Sequence, residues 1–61
     1  MKLLHGTGRT LEVRDCGPVI MRLRAGPTPM KFNGWMVLED DEARALVRAQ
    51  LDAGAVEESL T

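Results

Sequence analysis

Residues 39–54 constrain this chain more than any other stretch, because they carry a helix start, a helical period and a helix stop in register. Glu39-Asp40-Asp41-Glu42 sets acidic groups where the unpaired backbone N–H groups and the positive end of a helix dipole attract them. Ala43, Leu46, Val47, Gln50 and Leu51 then recur at helical spacing, with Arg44, Arg48 and Asp52 on the far side. Gly54 stands where a left-handed C-terminal cap belongs. The pattern predicts a helix capped by Asp40 and stopped by Gly54. A helix with a single apolar stripe needs another layer to bury it.

The N-terminal part of the chain supplies that layer as strands. Gly6-Thr7-Gly8, Asp15-Cys16-Gly17-Pro18 and Ala25-Gly26-Pro27-Thr28-Pro29 cut it into segments too short for stable helices, and each segment alternates in polarity. In Thr10-Leu11-Glu12-Val13-Arg14 the apolar Leu11 and Val13 face one way, Glu12 and Arg14 the other. In residues 19–24 the same split puts Val19, Met21 and Leu23 inside, with Ile20, Arg22 and Arg24 outside. The connection of about four residues permits only an antiparallel hairpin. Lys2 to His5 add a short edge strand before Gly6.

Residues 30–38 read in two ways. As one strand they place Phe32, Gly34, Met36 and Leu38 on one face and Asn33, Trp35 and Val37 on the other; alternatively Asn33-Gly34 is the type I′ turn of a tiny hairpin. The continuous strand is preferred, since the arms of such a hairpin hardly reach strand length. Gly34 then marks a bulge or a close backbone approach. The expected fold is α+β: a three- to four-stranded antiparallel β-meander with one C-terminal α-helix packed on one face, forming a single domain over residues 1–54, with residues 55–61 a loose tail.

A 61-residue chain has room for one small core. Such a core supplies roughly 3–5 kcal/mol unaided, and small domains commonly add disulfides, metal or self-association. Cys16 is the only cysteine, and neither CxxC nor HxxxH spacing occurs, so association is the stabiliser left. The formal charge of −1 disfavours a broad phosphate-binding surface, and one Phe, one Trp and no Tyr make a poor stacking platform for single strands. No apolar run approaches the ~20 residues of a membrane span, and the first residues do not resemble a signal peptide, which points to a cytoplasmic, membrane-independent protein.

Few residues offer chemistry. His5 and Cys16 would have to meet to form a nucleophilic pair, and a core this small hardly encloses a site for them. Gly6-Thr7-Gly8-Arg9-Thr10 has the composition of a phosphate loop but leads into a strand rather than a helix, so a hairpin turn is expected. The acids of residues 39–42 lack a calcium-loop pattern and suit a helix start. The chain therefore reads as a non-enzymatic protein–protein interaction module without cofactor or metal, of the inhibitor or adaptor kind that bacteria and phages carry. It is expected to form a homodimer and to meet a larger protein partner.

The candidate interface has two parts. Ile20, Arg22, Arg24, Trp35 and Val37 lie on the sheet face that no helix covers, and Glu39, Asp40, Asp41 and Glu42 form an acidic patch at the helix start. Trp35 is either part of the monomer core or the centre of the interface. The alternative function is a weak nucleic-acid-binding module, with Arg14, Arg22 and Arg24 on phosphates and Trp35 stacking on a base.

Overall fold

In the computed structural model, which describes residues 1–60, the chain forms β1 (Lys2–Thr7), β2 (Thr10–Arg14), β3 (Val19–Arg24), β4 (Asn33–Leu38), α1 (Asp40–Asp52) and β5 (Val56–Glu58). The class is α+β, as the alternation and helical period imply. All strand pairs are antiparallel, and the five strands lie in the order β4-β1-β2-β3-β5.

This order corrects the expected meander. The first four strands have the Greek-key order, with β4 returning to lie beside β1. Lys2 to His5 consequently belong to an interior strand rather than an edge. The cause lies in residues 25–32, which do not turn back on β3. Ala25 N–H donates to the Arg9 carbonyl at 2.7 Å and Met30 N–H to the Gly8 carbonyl at 3.0 Å, so the connection crosses the end of the sheet over the β1–β2 turn. Pro27 and Pro29 lack the N–H groups a strand ladder needs, which leaves the segment free to cross.

The core lies on one face of the sheet. Leu4, Leu11 and Leu23 are fully buried on adjacent strands, joined by Val13, Met30 and, from the helix, Ala43. Met30, expected to begin the third apolar strand, is a core residue supplied by the crossing loop. Phe32 packs from the same segment against Gly6, where a Cβ would come within 2.6 Å of its ring. Gly6 is thus a strand residue that admits an aromatic ring, not part of the turn. The turn itself is Gly8-Arg9, with Gly8 at φ 83° and the Thr7 hydroxyl accepting the Thr10 N–H at 3.0 Å.

Residues 33–38 form one strand, and its register on β1 runs without a shift from Thr7↔Asn33 to Lys2↔Leu38. The Asn33-Gly34 hairpin is therefore absent. Gly34 answers neither expectation attached to it, since its ladder is regular and a Cβ there would meet nothing within 4 Å; its glycine character serves a φ of 108°.

The helix begins one residue earlier than its expected cap. Glu39, in extended conformation, is the N-cap, and its N–H donates to Glu42 Oε1 at 3.2 Å. Asp40 is instead the first helical residue. At the other end Gly54 adopts φ 103°, Gly54 N–H donates to the Leu51 carbonyl and Ala55 N–H to the Gln50 carbonyl, the bond pattern of a Schellman cap. Of the apolar stripe, Ala43, Leu46 and Val47 meet the core, whereas Leu51 is exposed.

The cap redirects the chain so that Val56–Glu58, in the stretch expected to be a loose tail, pair with β3 as the fifth strand. Gly26 in the crossing loop lies directly against Gly54, and a Cβ on Gly26 would collide with the Gly54 carbonyl. The helix end and the loop thus meet glycine to glycine. Replacing Gly26 with Ala or Gly54 with Val is expected to lower stability by roughly 1–3 kcal/mol each, the first by collision and the second by forcing a β-branched residue to positive φ. Thermal melts check both; unchanged midpoints would mean that the helix end is not docked on the loop.

Candidate functional site

The sheet face opposite the helix carries no buried side chain, and nothing within the described residues covers it. Cross-strand register assembles it in rows. The central row runs Trp35, His5, Glu12, Arg22 and Glu58, one residue from each of the five strands. The neighbouring row holds Val37, Leu3, Arg14 and Val19. The face is therefore apolar and aromatic toward β4 and charged toward β3 and β5.

At the β4 end, Trp35 and Val37 are 60% and 59% exposed. His5 stacks on Trp35 with ring centroids 4.3 Å apart and planes tilted by 36°, and the Arg14 guanidinium carbon lies 5.9 Å from the ring centroid. Both contacts touch the indole without covering it. They hold its orientation and leave its outer surface open. Trp35 is thus excluded from the monomer core.

In the middle of the face, Glu12 joins two arginines. Its Oε1 accepts from Arg14 at 3.2 Å and its Oε2 from Arg22 at 3.0 Å, while Arg14 also donates to the Gly17 carbonyl at 3.0 Å. Partial burial pushes the Glu12 carboxyl up, but the hydrogen bonds from Arg22 and Arg14 outweigh it and hold the group below its ordinary range. Arg24 lies 3.7 Å from Glu58. All three arginines considered for phosphate contact therefore already face a carboxylate.

Ile20 is not on this face. The register slips between Val13 and Arg14, so that Val13 pairs with Met21 but Arg14 with Val19, and Ile20 is the extra residue of a bulge. It lines a cleft of ≈ 200 Å³ with Val13, Met21, Ala43 and Val47 on the helix side, with Lys2, Asp40 and Arg44 at the cleft as well. Val19, expected inside, takes its place on the outer face. Sequence alternation cannot reveal this exchange, because a bulge reverses the alternation beyond it.

The acidic helix start is turned onto the protein itself. Asp40 Oδ1 accepts from the N-terminal ammonium at 2.7 Å and from Lys2 Nζ at 3.0 Å, Asp41 accepts the Glu42 N–H at 2.9 Å, and Glu42 accepts the Glu39 N–H. The hydrogen bonds of the ammonium and of Lys2 pull the Asp40 carboxyl down to about 2. Asp40 thus fastens the start of β1 to the start of α1. Among the described residues no three His, Cys, Asp or Glu side chains converge as a metal site requires.

His5 and Cys16 are not brought together. His5 lies opposite Glu12, four residues before Cys16 along the chain, which is roughly 13 Å of strand rise. Cys16 is exposed at the tip of the β2–β3 turn with φ 56°, beside Gly17 at φ 118°. Such a pair of positive φ values is that of a type I′ turn, which explains a tight hairpin at a non-glycine residue. Leu3, His5 and Val19 belong to the outer face without being read there from the sequence, and Glu12, read there, is not among the candidate interface residues. Alternation marks Glu12, but only the register shows that it stands between His5 and Arg22.

No helix of the described residues is long and apolar enough to cross a membrane. The chain matches no protein-family model, no curated protein and no solved structure.

The Asp40 geometry has a pH signature. A carboxyl that titrates at about 2 in the folded chain, against an ordinary 3.8, contributes stability that is complete above about pH 4 and is lost as pH falls toward 2. The Asp40→Asn variant is expected to melt lower than the parent near neutrality, and the gap is expected to close on acidification through that window. Melts recorded along the acid series test it, and a gap independent of pH would show that the carboxylate charge is not what joins the two termini of β1 and α1.

Proposed function

We propose that this chain is a non-enzymatic protein–protein interaction module that binds through the uncovered sheet face at its β4 end. The observation that carries this reading is the exposure of Trp35 and Val37, at 60% and 59%, side by side on a face with no second layer. An indole held by His5 and Arg14 with its outer surface free is a rigid anchor, and large rigid aromatic groups are the commonest energetic centres of protein interfaces. Leu3 beside Val37 widens the apolar patch, and the Glu12, Arg14 and Arg22 cluster supplies a polar rim.

Within this reading, an adaptor or inhibitor acting on a larger cytoplasmic protein is the favoured form. The nucleic-acid alternative is weakened by the pairing of Arg14 and Arg22 with Glu12 and of Arg24 with Glu58, since a phosphate would have to displace a carboxylate at each. Thiol chemistry is likewise a poor match for Cys16, which stands at a turn tip away from His5.

The test compares three immobilised baits against a lysate of the native host. Proteins retained by the parent and by Cys16→Ser, but lost with Trp35→Ala, are the expected outcome. Trp35→Ala is expected to cost at least about 2 kcal/mol of binding, a thirtyfold loss, while leaving the chain folded because the ring is exposed. Retention of the same proteins by the Trp35→Ala bait, or loss with Cys16→Ser alone, would overturn the reading.

A further inference from the structure

The two edges of the sheet are built differently. β5 is three residues long and carries Glu57 and Glu58, the short, charged kind of edge that resists pairing with another chain. β4 is six residues long, Asn33-Gly34-Trp35-Met36-Val37-Leu38, without a charge or a proline, and its ladder on β1 shows no bulge. Natural sheets rarely leave such an edge bare. The charges stand only at its ends, with Lys31 before the strand and Glu39 after it, both exposed and neither in an ion pair with another described residue.

We infer that β4 pairs with β4 of a second copy of this chain, antiparallel and about a twofold axis at Trp35, so that two five-stranded sheets join edge to edge. This rests on the interaction reading above and names the occupant of its β4 end. A twofold axis perpendicular to the joined sheets requires a residue to stand opposite its own mate, which limits the register to a few choices. Centring on Trp35 places Asn33 opposite Val37 of the second copy, and it brings Lys31 and Glu39, which flank the strand just outside its ladder, toward one another at both ends. The open space beside Gly34 falls opposite Met36, a half-buried side chain on the helix side of the edge.

The same register sets the two indoles side by side on the outer face, with the two Val37 side chains diagonal to them, and so joins the apolar patches of the two copies into one across the seam. Centring one residue to either side loses the match: on Gly34 it puts Lys31 opposite Val37, and on Met36 it puts Glu39 opposite Asn33. Charge complementarity beyond both ends of the strand, the meeting of the two indoles at its centre and the absence of edge protection all favour a second copy over an unrelated strand.

Sedimentation equilibrium across the micromolar range, with each variant's folding checked by its melt, tests the pairing. The parent is expected to be a dimer with a concentration-dependent melting temperature. Lys31→Glu sets like charges opposite one another at both symmetric ends and is expected to weaken the dimer about tenfold or more, and adding Glu39→Lys to it is expected to bring the affinity back to within about threefold of the parent. Because Glu39 also caps the helix, Val37→Asp provides an independent arm, in which a charge introduced on the edge strand is expected to abolish the dimer. A monomeric parent, or a dimer indifferent to both Lys31→Glu and Val37→Asp, would overturn the inference. A monomeric parent whose bait still retains proteins in a Trp35-dependent way would remove the second copy alone and leave the interaction reading standing.

Discussion

The passage of residues 25–32 over the β1–β2 turn is the constraint on which the rest of the molecule depends. Two backbone hydrogen bonds, from Ala25 to Arg9 and from Met30 to Gly8, hold the loop across the end of the sheet. The loop delivers β4 to the far side of β1, carries Met30 into the core and seats Phe32 on Gly6. Had β3 simply turned back, β4 would lie beside it and Trp35 would have other neighbours. The crossing instead sets Trp35 beside His5 at the sheet margin, where the indole is oriented but not covered.

A second consequence concerns the helix. Starting after β4 and ending where Gly54 meets Gly26, α1 packs on the inner face and returns the chain to the opposite edge, next to β3. Its start is tied down by Asp40, which receives both the N-terminal ammonium and Lys2, and its end by the Schellman bonds into Ala55. With three leucines fully buried and Val13, Met30 and Ala43 nearly so, the hydrophobic term is small, and the ties at the two ends of the helix add to it. A domain so assembled has one layer of helix for one sheet. Among the described residues the other face of that sheet has no cover, which is why the proposed interaction is placed there.

Electrostatics divides that face. Glu12 bridges Arg14 and Arg22, and Glu58 faces Arg24, so each guanidinium of the β3 and β5 side lies beside a carboxylate and one positive charge is left in excess. The β4 side has no charge to match. On the proposed interaction reading, specificity comes from the shape of the indole and its apolar neighbours at one end, and from orientation by the charged rim at the other.

The sequence by itself determined the class of fold, the helix with its glycine stop and the β2–β3 hairpin, because each follows from local periodicity or from a turn residue whose backbone preference is intrinsic, whereas it left Trp35 open between core and surface until the structure showed the ring exposed. The tertiary structure alone decided the strand order, the pairing of Val56–Glu58, and which of Val19 and Ile20 faces the helix. Strand order depends on where a loop docks, and Ala25 and Met30 have no side-chain signal that points to the Arg9 and Gly8 carbonyls. The bulge at Ile20 interrupts the alternation from which its face was read, and a three-residue strand is too short to have a period. Asp40 shows the same limit at the helix start: its position made it a plausible cap, and only the arrival of Met1 and Lys2 from the other end of the chain turned its carboxylate away from the backbone.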